Sequence, residues 1–495
     1  MGVVLKQTIK GSVLTYIGAF LGFITAAIVQ PKVITPEQIG LLSLLNELSL
    51  VLGAFAALGF GSTIRYFPYF RNPKRRHHGY LFLACIIALV GFLLMCLFIF
   101  LFKEQIISQK SQDSLLFASY YYYLIPLTFF FLYFNVFELI ARVNYEIVFS
   151  QFLREVLKRI FILIAFSLLF FNVLGFSGFM PVWLIASILP TAILFWSVSR
   201  KESFSFRPDF KFLKQNKELV RKLINISSFT LLISIAPYVI SLIDKYMINQ
   251  TYGLSMTGVY TITMYFGAFI SMSMRSLSSI SLPVVAEAWK NEDRKTICSL
   301  YQKSCINQLI VAMLLFVGIW ANVDNIFSYL PSFETGKYVI FYIGLMSVVE
   351  MGTGINGTII ATSRYYRYDG LFHLLLVVFT IFTNLLFIPL YGIVGAALAT
   401  ALTKILFNLF RYFFVWRVFK MQAFSWRNLA AVLLGVVVYF ASTLVPQSPN
   451  FIIDIIIRSV AITAGFLPAV YLLRLSEDIN SLVNRWFFSK LLPKK

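Results

Sequence analysis

Eight ionisable residues lie inside long apolar stretches of the chain. They are four acids and four cations: Glu47, Glu138, Asp244, Glu350, Lys245, Arg275, Lys404 and Arg458. A charge at the centre of a bilayer costs about 2.5 to 3.5 kcal/mol on insertion scales, so such side chains normally face a cavity or a partner. These eight positions are therefore the first candidates for function.

Arg275 is the candidate that best suits a phosphate-bearing ligand, because a guanidinium is a planar and permanently charged fork. It lies in residues 271–281, SMSMRSLSSIS, whose hydroxyls suit a solvated wall, and Pro283 indicates a bend. The alternative is a structural pair with an acid. Arg65 and Arg142, at the inner ends of two predicted helices, extend this prediction to a basic vestibule. Their alternative is ordinary positive flanking of membrane spans.

A second polar set occurs near the C-terminal end of the predicted transport core. Lys404, Asn408 and Arg411 recur at i, i+4 and i+7 and therefore share one helix face. This predicts a polar stripe along a cavity, with Lys404 near mid-membrane. The alternative for Lys404 is a pair with Glu350, which precedes three glycines in residues 352–357. Those glycines weaken the helix and predict a hinge.

Two of the buried acids are candidates for ion coupling. Glu47 lies about two turns from the outer end of its predicted helix, and Glu350 lies near the middle of another. A carboxylate in either place can load and release a proton, as coupled export requires. For Glu47, the alternative is a hydrogen bond to a neighbouring helix.

The remaining charges are typical of structural or gating roles. Asp244 and Lys245 are adjacent near the outer end of a predicted helix, which suits a gate latch or an anchor. Glu138 is spaced i, i+4 from Arg142 and predicts a local pair. Arg458, close to the outer end of the last helix, can extend to the interface.

The composition predicts the elements that carry these residues. The chain has 495 residues, of which 59% are apolar and 13% charged. A membrane-spanning helix needs about 20 apolar residues, and windows of that length, cut at Pro, Gly and charge clusters, predict fourteen helices and an all-α polytopic membrane protein. The predicted helices cover approximately residues 8–30, 40–64, 79–102, 115–141, 156–174, 179–199, 222–248, 257–285, 303–323, 336–361, 370–388, 392–416, 428–446 and 452–474.

The basic residues predict orientation rather than nucleic-acid binding. The formal charge is +21, but Lys and Arg lie mainly between apolar segments, whereas nucleic-acid binding needs them clustered on a folded polar surface. With the N-terminus inside, 34 of the 42 Lys and Arg fall in cytoplasmic segments and four in external loops. Positive loops stay cytoplasmic, so an even helix number with both termini cytoplasmic is favoured. His77 and His78, in a basic cytoplasmic turn, are predicted to be solvated.

The largest hydrophilic break predicts a division into halves. Residues 1–200 and 222–420 are the predicted six-helix lobes, residues 201–221 a basic cytoplasmic linker, and residues 421–495 two further helices with a cytoplasmic tail. Each half contains a similar external turn, closed by Gly40 or Gly258. Such parallel repeats are typical of transporters, and glycine at ordinary helix ends is the alternative.

Three segments resemble a known family. Residues 384–400, NLLFIPLYGIVGAALAT, resemble the most recognisable segment of bacterial polysaccharide-biosynthesis membrane proteins. Residues 34–43, ITPEQIGLLS, and residues 243–261, which contain IDKYMI and then GVYT, extend the likeness. With the helix number and loop sizes, the chain is similar to lipid-linked oligosaccharide (O-antigen type, Wzx-like) flippases of the multidrug/oligosaccharidyl-lipid/polysaccharide exporter superfamily.

The resemblance implies a fold and a cargo, and it carries over no catalytic residue. The implied fold is a V-shaped pair of six-helix lobes related by a pseudo-two-fold axis, around a cavity that opens alternately to each side. The implied cargo is an undecaprenyl-pyrophosphate-linked oligosaccharide, moved from the cytoplasmic to the periplasmic leaflet of the bacterial inner membrane. Its surroundings would be membrane lipids, with polymerase and chain-length proteins of the same pathway as partners.

Three other functions remain open. A drug or cation exporter of the same fold calls for acidic or aromatic walls, whereas Arg275 and Lys404 make this interior at least balanced. A membrane-embedded polysaccharide polymerase needs a sizeable external loop, and no predicted external loop exceeds about 15 residues. A scaffold is disfavoured only by the intramembrane charges. There is no Gly-rich phosphate loop or metal-ligand spacing, so we expect no catalytic residue, metal or cofactor.

Overall fold

The computed structural model describes residues 2–107, 114–143, 146–200 and 209–484. These residues form helices and no strand. The helices up to residue 270 are α1 Gly2–Phe23, α2 Gln30–Val33, α3 Pro36–Ala56, α4 Phe67–Phe70, α5 Tyr80–Leu101, α6 Lys103–Ile107, α7 Ser114–Tyr120, α8 Leu124–Val143, α9 Ile147–Phe152, α10 Lys158–Phe170, α11 Phe176–Ser199, α12 Phe210–Gln215 and α13 Lys217–Ile270. The later ones are α14 Met272–Lys290, α15 Arg294–Ala321, α16 Val323–Tyr329, α17 Lys337–Gly352, α18 Asn356–Thr362, α19 Tyr366–Phe414, α20 Trp426–Thr443, α21 Phe451–Leu472 and α22 Glu477–Val483.

Many of these helices are suited to a bilayer. Among the described residues, ten are long and apolar enough to cross a membrane, or eleven if α17 and α18 together form one bent span. The predicted class, an all-α polytopic membrane protein, is confirmed. The count of fourteen and the pseudo-two-fold symmetry stay predictions.

Two long helices are interrupted by a single glycine. Gly253 in α13 has φ 83° and Gly392 in α19 has φ 60°, a region that favours glycine because it lacks a Cβ. The sequence predicted a loop of several residues around Gly253, but helix continues on both sides of it. At Gly392 the break coincides with the predicted start of the twelfth helix.

The predicted weak point after Glu350 is confirmed as a bend. α17 ends at Gly352, α18 begins at Asn356, and the two segments meet at 54°. Further upstream, the predicted start of the fifth helix at residue 156 is wrong. A continuous helical segment begins at Ile147, passes through a π-helical turn at Leu153–Leu157 and ends at Phe170.

The segment predicted as a linker is partly helical. Residues 201–208 lie outside the described part, α12 covers Phe210–Gln215, and α13 already begins at Lys217. The N-cap of α12 is Asp209, whose side chain accepts a hydrogen bond from the backbone N–H of Phe212 at 3.1 Å. Most of residues 209–221, predicted to belong to the basic linker, are therefore helical.

The chain packs as two compact units. The first contains Met1–Thr261 and His373–Ile381, and its core includes Phe70, Tyr80 and Leu132. The second contains Ile262–Phe372 and Phe382–Lys495, with separate cores around Met313 and Tyr301. Compact packing units and repeat-related lobes are different divisions, so the predicted lobe boundaries stay predictions.

Candidate functional site

Two glycines hold α3 against the part of α13 that follows Gly253. A Cβ added to Gly258 would lie 1.8 Å from the backbone oxygen of Pro36, and one added to Gly40 would lie 2.1 Å from that of Leu254. One turn further on, the Thr261 hydroxyl donates to Ser43 Oγ at 3.2 Å. Gly40 lies inside α3, whose N-cap is Thr35, and Gly258 lies inside α13, five residues after the break at Gly253. The prediction that glycine closes these turns is therefore wrong; each glycine instead permits a close backbone approach.

A buried ion pair joins α3 to the part of α13 that precedes Gly253. Lys245 Nζ donates to Glu47 Oε1 at 2.9 Å, and both residues are buried. Glu47 is eleven residues from Pro36, or about 16 Å along α3, which is deeper than predicted. Asp244 Oδ2 accepts from the hydroxyl of Tyr260 at 2.7 Å. The contact with a neighbouring helix, considered as the alternative for Glu47, is present, and it is made by Lys245.

A second buried acid, Glu138, is contacted by two arginines. The predicted i, i+4 pair with Arg142 is present at 3.6 Å, but Arg154 Nη2 makes the closer contact with Glu138 Oε2. Arg154 also donates to Asn135 Oδ1 at 2.9 Å, and its guanidinium carbon lies 4.8 Å from the ring centre of Phe134. The sequence did not single out Arg154, because it was assigned to a cytoplasmic segment.

Arg154 begins a basic stretch inside the helical segment Ile147–Phe170. Arg159 donates to the backbone oxygen of Gly18 and, at 3.3 Å, to Glu155. Lys158 is close enough to Glu47 for an electrostatic interaction. These cations therefore lie within a helix rather than in a loop. The signal that would have found them is the mostly apolar segment IVFSQFL at residues 147–153, which indicates that the helix begins earlier.

In the second unit, Arg411 forms a partly buried pair with Asp369. Arg411 Nη2 contacts Asp369 Oδ1, and the guanidinium carbon lies 4.2 Å from the ring centre of Phe407. A Cβ added to Gly357 of α18 would lie 2.9 Å from Arg411 Nη1. Glu350 is within electrostatic range of this guanidinium. Arg411 thus packs against the second half of the bent α17–α18 segment.

The other members of the predicted stripe differ in exposure. Asn408 is buried, its side chain donates to the backbone oxygen of Lys404 at 3.0 Å, and its own backbone oxygen accepts from Asn356 at 3.4 Å. Lys404 is half-buried. Within the described residues, neither Lys404 nor Glu350 has an ion-pair partner within 4 Å, so the alternative pair between them is absent.

Arg275 is an exposed cation near the start of a polar helix. The sequence placed it inside one continuous helix, but α13 ends at Ile270 and α14 begins at Met272. Among the described residues no acid lies within ion-pair distance of Arg275, so the alternative structural pair is absent too. α14 is not among the helices apolar enough to span a membrane. Arg65 is likewise exposed, in a 3-10 turn at Phe60–Tyr66.

Two further sequence predictions, for Arg458 and His78, are wrong. Arg458 does not extend to the interface: it is only 7% exposed, and its Nε lies 2.8 Å from Asp454 Oδ2. His78 is not solvated: it is buried, and its Nδ1 lies 2.8 Å from Asp209 Oδ2. In each case a partner in the folded chain replaces water. No group of three or more His, Cys, Asp or Glu among the described residues is placed to hold a metal ion.

Comparisons with known proteins identify the fold. The structure of the lipid II flippase MurJ in an inward closed conformation superposes with a TM-score of 0.72, covering 96% of this chain and 99% of that one at 14% identity. An inward-facing multidrug resistance MATE family transporter of the MOP superfamily gives 0.60, covering 88% and 96% at 12% identity. The chain therefore has the fold shared by MurJ and MATE transporters of the MOP superfamily.

One curated sequence is distantly similar. The probable low-salt glycan biosynthesis flippase Agl15 of Haloferax volcanii is 24% identical over 277 residues. The match covers 54% of this chain and 57% of that protein, so it spans little more than half of the relative's length. No protein-family model matches the chain. The findings support a multi-pass membrane protein of flippase and transporter fold.

Proposed function

We propose that this protein is a flippase for a lipid-linked oligosaccharide, carried on undecaprenyl pyrophosphate or a close relative. It would work by alternating access in a bacterial inner membrane, from the cytoplasmic to the periplasmic leaflet, with both termini cytoplasmic. The proposal assigns transport and no enzymatic activity. The fold shared with the lipid II flippase and the distant similarity to a glycan-biosynthesis flippase support it.

One observation carries the choice of an anionic cargo. Two of the predicted substrate residues, Arg275 and Lys404, have no acid within ion-pair distance among the described residues, whereas Lys245, Arg411 and Arg458 each contact a carboxylate. A cation without an internal counter-charge is available to a ligand phosphate, and a guanidinium binds it through two parallel hydrogen bonds.

The two candidate coupling carboxylates also differ in whether they have an ion-pair partner. Glu47 is paired with Lys245, whereas Glu350 has no ion-pair partner within 4 Å among the described residues and lies beside the bend of α17 and α18. We propose that transport is coupled to an ion gradient through Glu350 and that Glu47 acts in the gate. Membrane potential supplies about 2.3 kcal/mol per charge per 100 mV, which removes the need for a nucleotide site.

A multidrug or cation exporter is the second candidate. The likeness to a MATE family transporter favours it, and half-buried Glu350 would supply the counter-charge for a cationic drug. The two candidates require opposite charge at the binding site. They are therefore distinguishable by what accumulates when the protein is absent.

The test is a deletion strain with its lipid-linked glycans analysed by mass spectrometry. We expect the complete lipid-linked oligosaccharide to accumulate on the cytoplasmic side and surface glycan to be lost. Wild-type protein should restore both, and Arg275→Ala at normal protein level should restore neither. Unchanged glycans together with increased sensitivity to cationic dyes would instead support the exporter.

A further inference from the structure

An apolar crevice in the first unit lies beside the short helix α12. Its volume is about 200 Å³. Its walls come from the start of α5, through Phe82 and Ile86, and from α12, through Phe210 and Leu213. The proposed transport function uses none of these side chains.

The crevice has a polar end that fixes α12 in place. His78 Nδ1 and Asp209 Oδ2 are 2.8 Å apart, and the His78 ring stacks on Phe212 with centroids 4.0 Å apart. The hydrogen bond from His78, followed by that from the backbone N–H of Phe212, lowers the pKa of the Asp209 carboxyl. The Asp209 carboxylate therefore already has hydrogen-bond donors within the protein.

The open side of the crevice is apolar as well. Ile86 is 40% exposed and Phe210 is 60% exposed. On a membrane protein, apolar side chains with this exposure at the end of a long apolar helix are covered by lipid tails. The crevice therefore opens towards hydrocarbon.

Three exposed cations lie on the elements that form the crevice and its polar end. Lys211 and Lys214 are exposed on α12, and Arg75 is exposed and within electrostatic range of Asp209. Among the described residues none of the three has an ion-pair partner. A basic rim next to an apolar slot is complementary to a molecule with a phosphate at one end and a hydrocarbon chain at the other.

We propose that this crevice binds one anionic phospholipid of the leaflet on its own side, predicted to be cytoplasmic. One acyl chain occupies the slot between α5 and α12, and the phosphate lies near Arg75, Lys211 and Lys214. This site is independent of the transport proposal, because it needs neither Arg275 nor Lys404.

The test measures lipids retained by the purified full-length protein in native mass spectrometry, after incubation with equimolar phosphatidylglycerol and phosphatidylethanolamine. We expect preferential retention of phosphatidylglycerol. Arg75→Ala with Lys211→Ala and Lys214→Ala should weaken it by about tenfold or more. Leu213→Trp should also weaken it by filling the slot. The matched control, Lys290→Ala with Arg294→Ala and Lys295→Ala, removes the same charge from another exposed turn and should have no effect.

Three results would overturn the proposal: equal retention of both lipids, equal effects of the two triple variants, or displacement of phosphatidylglycerol by a polyprenyl phosphate at equal concentration. The last would assign the slot to the tail of a lipid-linked substrate. If the variant of Arg75, Lys211 and Lys214 does not fold, lipid retention by the wild-type protein is measured with increasing salt instead, because salt screens exposed charges. Retention of phosphatidylglycerol must then fall more steeply than that of phosphatidylethanolamine.

Discussion

Each of the two compact units contains a buried acid–cation pair. The N–O distances of the two pairs are nearly equal, but the sequence separation of the partners is very different. Glu47 and Lys245 are 2.9 Å apart and 198 residues apart in sequence, joining α3 to α13. Asp454 and Arg458 are 2.8 Å apart and four residues apart, within α21. A pair between two helices breaks when those helices separate, whereas a pair within one helix survives any rigid movement of that helix. Only the first is suited to a gate.

The surroundings of the two pairs agree with this distinction. Asp454 also accepts from Asn325 at 2.6 Å and from the backbone N–H of Ser448 at 2.9 Å, while Arg458 donates to the backbone oxygen of Ser442 at 3.3 Å. These bonds tie α21 to the end of α20 and to α16. Lys245 lies instead on the part of α13 before Gly253, whereas Gly40 and Gly258 bring α3 against the part after it. The first pair therefore joins α3 to a separate helical segment, and a separation of the two segments would break it.

The largest effect is expected for Lys245→Met, which leaves Glu47 buried without its hydrogen-bonded cation. Breaking a buried pair in this way costs about 3 to 5 kcal/mol, and we expect the transport rate per folded molecule to fall as well. Thermal unfolding in detergent and flipping in vesicles measure the two losses separately. The double variant Glu47→Gln with Lys245→Met should regain stability and remain inactive. If the double variant transports normally, the pair is not part of the gate.

Arg458→Met should destabilise the protein and spare its activity. It leaves Asp454 buried but still bonded to Asn325 and Ser448, so we expect a loss of about 3 kcal/mol, at the low end for a buried pair. The transport rate per folded molecule should equal that of wild type. A fall in that rate at normal folded yield would contradict the distinction between the two pairs.

Gly258→Ala probes the helix crossing itself. Its Cβ meets the backbone oxygen of Pro36, so α3 and α13 must move apart, at a cost of about 1 to 3 kcal/mol. Gly318→Ala is the matched control, because nothing lies within 4 Å of a Cβ added there. We expect reduced stability and transport for the first variant and no loss for the second. Equal stability and transport of the two variants would show that the close approach of α3 and α13 at Gly258 is not required.

The smallest effect concerns the pair of half-exposed Asp209 with buried His78. Asp209→Asn should cost about 1 kcal/mol or less, because the carboxylate is partly solvated and asparagine keeps a side-chain oxygen for the N-cap. Because the folded-state pKa of Asp209 is lowered, the wild-type advantage is present above the unfolded pKa and disappears as the pH falls through the folded one. Unfolding midpoints across that acidic range check this. A stability difference between wild type and Asp209→Asn that grows as the pH falls would contradict this prediction.

The apolar windows and glycines predicted much of the fold, since span length and backbone freedom are local properties. The break at Gly392 and the bend after Glu350 are examples. The partners of the charged residues were harder to predict. The i, i+4 rule found Arg142 for Glu138 but not Arg154, which is sixteen residues away on another helical segment. Likewise, no spacing rule relates Glu47 to Lys245, because tertiary packing alone brings them together.

The central claim, that the protein flips an anionic lipid-linked glycan, is tested most directly by reconstitution. Purified protein is placed in vesicles that contain a fluorescent polyprenyl-pyrophosphate oligosaccharide, and an added glycosidase reports which molecules have reached the outer leaflet. We expect wild type to expose the inner pool and Arg275→Ala to leave it protected, while Arg458→Met, once folded, behaves as wild type. Protection of the inner pool with wild-type protein, together with transport of a cationic dye, would contradict the account.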